Sequence, residues 1–258
     1  MKRNKKKLLI LIFSFVLIIT AATLITSAVL SSGVTLGREE ESTLGPEDIL
    51  TGSADFLLFC ADSRKNLTYA AILNISLDEA LFSVSSLDPE KLCFADGKRL
   101  TLSEHYIDGG AGRLVSAAEN CTGVQASRYV GVTEHNFVRI IKMLGAVRVY
   151  VENDISYSYN DISLQLQKGM NDLSYKNLLD YIKFGSRGKE LLRLQAEAFC
   201  SIFEAYFTPE NLSGGEAFFT KLINLLDTDI NAYDYMASLP VMEALMESGV
   251  EFVSKGEY

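Results

Sequence analysis

Lys183, Arg187, Lys189 and Arg193 set four cations within eleven residues of the chain. Clustered positive charge in an otherwise acidic protein raises the local concentration of an anionic ligand. A solvated helix face is the competing reading: Arg193 has Glu190 three residues before it and Glu197 four after it, the spacing of ion pairs on one exposed face. A second group is Asp62-Ser63-Arg64, which follows the apolar run Phe56–Cys60. A carboxylate and a guanidinium at the C-terminal end of a strand stand at the usual ligand edge of an open α/β sheet, and the triplet equally suits a turn. Standard catalytic constellations are missing, with no G-x-S-x-G, H-E-x-x-H or P-loop and two histidines in all, His105 and His135. His135 falls in the first turn of an expected helix and His105 in an expected loop, where solvated or capping roles are simpler than catalysis. Gly109-Gly110-Ala111-Gly112 has no Lys-Ser/Thr after it and reads as a tight turn rather than a nucleotide cradle.

The charge of the chain narrows the ligand. Of 24 Lys and Arg, five lie in residues 1–30 with no acid among them, which leaves 19 cations against 33 acids, a net −14, from Ser31 onward. Nucleic acid is therefore excluded as a partner of the body, since such surfaces need a basic stripe to displace phosphate counterions. Leu8–Leu30 is an uncharged run of 23 residues, and a helix of that length covers roughly 34 Å, enough for a bilayer core. The basic residues 1–7 before it keep the N-terminus cytoplasmic and the remainder outside a cell membrane crossed once. A cleaved signal peptide is the alternative, with small residues at Thr26-Ser27-Ala28, although the run exceeds the usual h-region. Residues 31–54 are polar, with Glu39-Glu40-Glu41 and Gly45-Pro46, and read as a linker. Residues 55–258 then form one extracytoplasmic domain. Cys60, Cys93, Cys121 and Cys200 form no C-x-x-C pair, so metal binding is improbable, and the apolar settings of Cys60 and Cys200 point to free buried thiols.

These groups need elements to hold them. Apolar segments at 55–60, 70–76 and 80–86 are short and turn-bounded, as suits strands buried on both faces. Strands are also expected at 127–132 and 146–151, and a last one at Val250–Val253. Phe137, Ile140, Ile141 and Leu144 recur at i, i+3, i+4 and i+7 between Thr133 as N-cap and Gly145 as stop, which predicts a helix over Glu134–Leu144 packed on the sheet. Further helices are expected at Arg113–Asn120, Ser174–Phe184, Gly188–Phe207, Glu216–Asp227 and Tyr233–Met246. The whole reads as α/β: a central mixed β-sheet built from the five segments, covered by helices on both faces, preceded by one N-terminal transmembrane helix.

An order of short motifs points further. The strand ending in Asp62-Ser63-Arg64 is followed by a buried strand pair leading to Ser86-Leu87-Asp88-Pro89-Glu90. Then come Gly109-Gly110, Phe137, Leu144-Gly145-Ala146-Val147, Lys168-Gly169-Met170-Asn171-Asp172-Leu173, Tyr181-Ile182-Lys183 and Arg193-Leu194-Gln195. In order, spacing and topology the chain resembles the LytR-CpsA-Psr domain of the bacterial cell envelope. The resemblance implies a glycopolymer phosphotransferase: a phosphate-linked glycopolymer, such as teichoic acid or capsule, passes from a polyprenyl-pyrophosphate carrier to peptidoglycan. It implies Asp62 and Arg64 as catalytic residues, Asp62 as a ligand for Mg2+, and Lys183, Arg187, Arg193 and Gln195 as substrate-binding residues. It also implies an apolar cleft between sheet and helices, opening near Asp62, Arg64 and Lys183.

The chain departs from the family pattern at several of these positions. Tyr69 or a neighbour stands where members carry an Asp at the start of the second strand. Ser86–Glu90 lacks an Arg, Lys183 replaces the Arg of a Tyr-Val-Arg motif, and an Arg-x-x-Arg-Gln helix survives only as Arg193 and Gln195. Lysine keeps the charge but loses bidentate phosphate geometry. A divergent enzyme and a non-catalytic envelope-binding or regulatory protein with the same fold both remain open.

Overall fold

The computed structural model describes residues 52–188, 191–207 and 216–258. The expected transmembrane segment and nearly all of the expected linker, together with Lys189, lie outside the described residues. Among those described, no helix is long and apolar enough to cross a membrane.

The strands are β1 (Ser53–Ala61), β2 (Leu67–Ser76), β3 (Leu81–Leu87), β4 (Leu92–Ala95), β5 (Lys98–Thr101), β6 (Arg128–Thr133), β7 (Val147–Val151), β8 (Ile155–Tyr159), β9 (Ile162–Leu166), β10 (Gly169–Leu173), β11 (Leu226–Thr228) and β12 (Glu251–Glu257). The helices are α1 (Leu102–Thr122), α2 (Glu134–Leu144), α3 (Tyr175–Gly185), α4 (Leu192–Tyr206), α5 (Glu216–Ile223) and α6 (Ala232–Ser248). The central sheet has six strands in the order β11-β6-β1-β2-β3-β12. β1 runs parallel to β6 and β3 parallel to β12, and the other pairs are antiparallel, so the sheet is mixed.

Alternation along the strands divides the core. Phe56, Leu58 and Cys60 of β1 join Tyr69, Leu73 and Phe82 in a cluster with buried residues of α2, α3, α4 and α6. Leu57, Phe59 and Ala61 join Ala70 and Ile72 on the other face, against Leu114, Ala117 and Ala118 of α1. The helices thus cover both faces. Phe137, Ile140 and Ile141 of α2 pack on the sheet through the first cluster, with the Phe137 ring 6.5 Å from that of Tyr69. Gly131 is required by the second: a Cβ there would lie 2.2 Å from the Phe59 ring.

Several expectations are corrected. Val147–Val151 leaves the central sheet and pairs with β10 in a separate ribbon. Its strict alternation of buried valines with exposed Arg148 and Tyr150 marks a strand with one wet face, unlike the doubly buried central strands. The sixth central place goes to β12, and the expected helix over Glu216–Asp227 stops early to let Leu226–Thr228 edge the sheet beside β6. His105 is not in a loop. The polar stretch before it forms the β4–β5 hairpin, and α1 begins at Leu102 under a Thr101/Glu104 capping box. The helix passes through Gly109–Gly112 with a bend at Gly110, whose φ of 69° a side chain would resist. His105 is buried between the Cys93 carbonyl and the Arg113 guanidinium, a structural role. Cys93 and Cys121 form a disulfide that clips the hairpin to α1, with Cα atoms 5.5 Å apart. Cys60 and Cys200 are free and buried as expected.

Candidate functional site

β1 and β6 run parallel at the centre of the sheet, so their C-terminal ends open on the same edge. Asp62 follows β1 and Glu134 begins α2 directly after β6. The reversal into β2 adds Asn66, Leu67 and Thr68, the end of α3 adds Lys183, Ser186 and Arg187, and the tip of the β8–β9 hairpin adds Asp161. Together they line a cleft of about 700 Å³.

Each side chain is held by local structure. Asp62 closes its own turn: Oδ1 accepts from the Arg64 and Asn66 backbone N–H groups at 2.8 and 2.9 Å, and Oδ2 from Asn66 Nδ2 at 2.9 Å. Partial burial pushes the Asp62 carboxyl up, and those hydrogen bonds outweigh it and hold the group below the ordinary carboxylate range. The Thr68 hydroxyl donates to Glu134 Oε1 at 2.6 Å. Glu134 Oε2 then accepts from Lys183 Nζ at 3.2 Å, and Lys183 also pairs with Asp161. Burial lowers the Lys183 ammonium, but the two carboxylates more than offset it and its pKa stands raised. Arg187 lies over the Tyr159 ring, 6.0 Å from its centre.

Asp62, Lys183 and Arg187 are thus brought together. Arg64 is exposed, does not line the cleft and touches Asp62 through its backbone. Arg193 stands apart: it pairs with Glu152 at 2.8 Å and with Glu197 on its own helix, the ion-paired face that its spacing allowed. Gln195 is fully buried and reaches no ligand directly; its Nε2 donates to the Ile182 carbonyl at 2.8 Å, tying α4 to the helix that carries Lys183. Glu134, Asp161 and Thr68 went unread in the sequence. The N-cap at Thr133 does announce a carboxylate at the start of α2; nothing local announces Asp161, because its hairpin is short and polar.

The carboxylates do not fit a magnesium ion as placed. Both Asp62 oxygens are taken by its turn, and the Lys183 ammonium already bridges Glu134 and Asp161. Among the described residues no three His, Cys, Asp or Glu side chains converge on one point.

The LytR_cpsA_psr family model matches residues 82–254. The chain belongs to the LytR-CpsA-Psr family. None of the curated proteins matches it. Solved structures share the fold. A protein from Eubacterium siraeum described as a transcription regulator aligns with a TM-score of 0.68 at 16% identity, over 86% of this chain and 89% of the other. TagV from B. subtilis aligns at 0.63 and 14% identity, over 79% and 84%. TagT bound to LIIa-WTA aligns at 0.57 and 17% identity, over 86% and 85%. The α/β architecture with its mixed sheet is therefore that of LytR-CpsA-Psr proteins.

Proposed function

We propose that this LytR-CpsA-Psr protein is anchored in the bacterial cell membrane by residues 8–30 and binds the pyrophosphate of a polyprenyl-linked glycopolymer in the Asp62–Lys183 cleft, on the route to its attachment to peptidoglycan. The observation that carries this reading is the convergence of Asp62, Lys183 and Arg187 at the C-terminal edge of two parallel strands, in a family one of whose folds is seen with LIIa-WTA bound in TagT. The Cys93–Cys121 disulfide supports an extracytoplasmic address, because disulfides persist in oxidising compartments.

Lys183 and Arg187 would neutralise the pyrophosphate, with the prenyl chain directed toward the apolar space beneath. That space is limited. Leu58, Tyr69, Phe137, Ile140, Phe199 and Phe203 border a void of about 60 Å³. Transfer would require the acceptor hydroxyl to attack the glycopolymer-bearing phosphorus while polyprenyl phosphate leaves, and Asp62, Glu134, His135 and Asp161 are the cleft groups able to take the hydroxyl proton.

The shortage of cations disfavours turnover. Three carboxylates line the cleft against Lys183 and Arg187. Two Arg contacts of the family pattern are missing, and each hydrogen bond to a charged group contributes about 1.5–3 kcal/mol, which makes transfer about 10²–10⁴-fold slower than with a full arginine set. The test is mass spectrometry of lipid carried by the full chain, purified in detergent from a bacterial host. A polyprenyl phosphate or pyrophosphate present with the native chain and lost with Lys183→Met is expected; its absence from the native chain overturns the proposal.

A further inference from the structure

Beside the cleft, the β8–β9 hairpin meets the end of α3 and the turn that follows it at two points. Asp161, at the hairpin tip, pairs with Lys183, and Tyr159, two residues earlier, lies under Arg187, four residues later on the other side. One short hairpin therefore holds both cations that the cleft offers to an anion. The two carboxylates on Lys183 are unequal. Glu134 is 22% exposed and fixed from behind by the Thr68 hydroxyl. Asp161 is 63% exposed and stands on a reversal, beside Asn160 with a φ of 51°. No other side-chain ion pair of Asp161 is seen among the described residues. The fixed carboxylate is a counter-ion; the exposed one is a group that can leave.

Resting on the pyrophosphate-binding reading of the cleft, we infer that Asp161 occupies the phosphate seat itself and is a specificity-determining residue: a ligand binds only by displacing its carboxylate from Lys183. An exposed ion pair is weak enough to be exchanged for a phosphate oxygen on the same ammonium, and a phosphate carrying more charge competes better. The hairpin thus favours pyrophosphate over monophosphate, since a second phosphoryl group can also reach Arg187 when Tyr159 withdraws. With Asp161 in place the lining carries one more negative than positive side chain; with Asp161 displaced the two signs balance.

The experiment measures the affinity of the full chain, in detergent, for inorganic pyrophosphate and for geranylgeranyl pyrophosphate by calorimetry, with inorganic phosphate as the reference ligand. The native protein is compared with Asp161→Asn, Asp161→Glu and Lys183→Met. Asp161→Asn is expected to bind both probes about 5–10-fold more tightly and to narrow the preference for pyrophosphate over inorganic phosphate, whereas Asp161→Glu keeps native values. A hairpin with a merely structural role would move neither the preference nor the affinity in that direction. Tighter binding by Asp161→Asn supports the inference, including the case in which the native chain is too weak to measure. Binding by the native chain that Asp161→Asn leaves unchanged or weakens overturns the inference and spares the proposed function. Failure of native and Asp161→Asn proteins alike overturns both.

Discussion

Two cations that the sequence presents as equals have separate fates. Lys183 sits in the cleft at 13% exposure, while Arg193 is 42% exposed and ion-paired on a different surface. Lys183→Met is therefore expected to lower affinity for geranylgeranyl pyrophosphate about tenfold or more, the loss of one charge-assisted contact. Arg193→Met should change it less than about twofold, because exposed ion pairs contribute little; calorimetry on both variants decides. The Glu197 partner of Arg193 was legible as an i, i+4 spacing, but Glu152 was not, since it arrives from a remote loop. Burial of Gln195 was equally hidden: the motif placed it beside Arg193, and the helix turns it the other way, into the core. Asp62 carries a pH consequence. Its folded pKa is depressed, so the stabilisation it provides is fully present above the unfolded value of about 3.9 and is lost as pH falls through the folded value. Urea unfolding should therefore separate Asp62→Asn from the native chain at pH 7, and the gap should close in acid.

At the scale of elements, those with a strong period were readable and those held by partners were not. The Phe137/Ile140/Ile141 stripe gave α2 its bounds, with Thr133 accepting from the Asn136 N–H as N-cap. β8 and β9 are five residues each with exposed polar positions, and only their mutual pairing under α3 makes them strands. The break expected at Gly109–Gly112 is present as a kink: Gly110, at φ 69° and ψ −160°, leaves helical geometry and divides α1 into two arms, the kind of position glycine permits. The disulfide belongs here as well, for it joins two elements that sequence distance hides. It closes a separation of 28 residues, which corresponds to about 3–4 kcal/mol of lost unfolded-state entropy. The double substitution Cys93→Ser, Cys121→Ser should lower Tm by about 6–16 °C by calorimetry. Dithiothreitol should reproduce that loss in the native protein and leave the double variant unmoved. Equal Tm values would mean that the clip adds nothing to the packing of β4–β5 on α1.

The whole molecule raises the question of how a lipid could enter it. The expected opening near Asp62 and Lys183 exists, but its lining residues, Leu67 apart, are polar or charged, and the apolar space between sheet, α2 and α4 amounts to about 60 Å³. The two spaces are adjacent: Tyr69 follows Thr68, and Phe137 lies one helical turn beyond Glu134. A prenyl tail could extend from one into the other only if α2 and α4 separate, which costs the contacts that hold them on the sheet. That cost sets a trade between stability and binding. Phe199 is buried in α4, borders the void and packs on Tyr69 with ring centres 4.6 Å apart. Phe199→Ala removes that barrier in advance, at about 3–5 kcal/mol of folding stability. The variant should therefore melt lower and yet bind geranylgeranyl pyrophosphate more tightly relative to inorganic pyrophosphate, whose site it does not touch. The ratio of the two affinities is the decisive measurement, because a general loosening of the fold would weaken both probes together. A ratio that stays at the native value while Tm falls would show that the tail does not pass between α2 and α4.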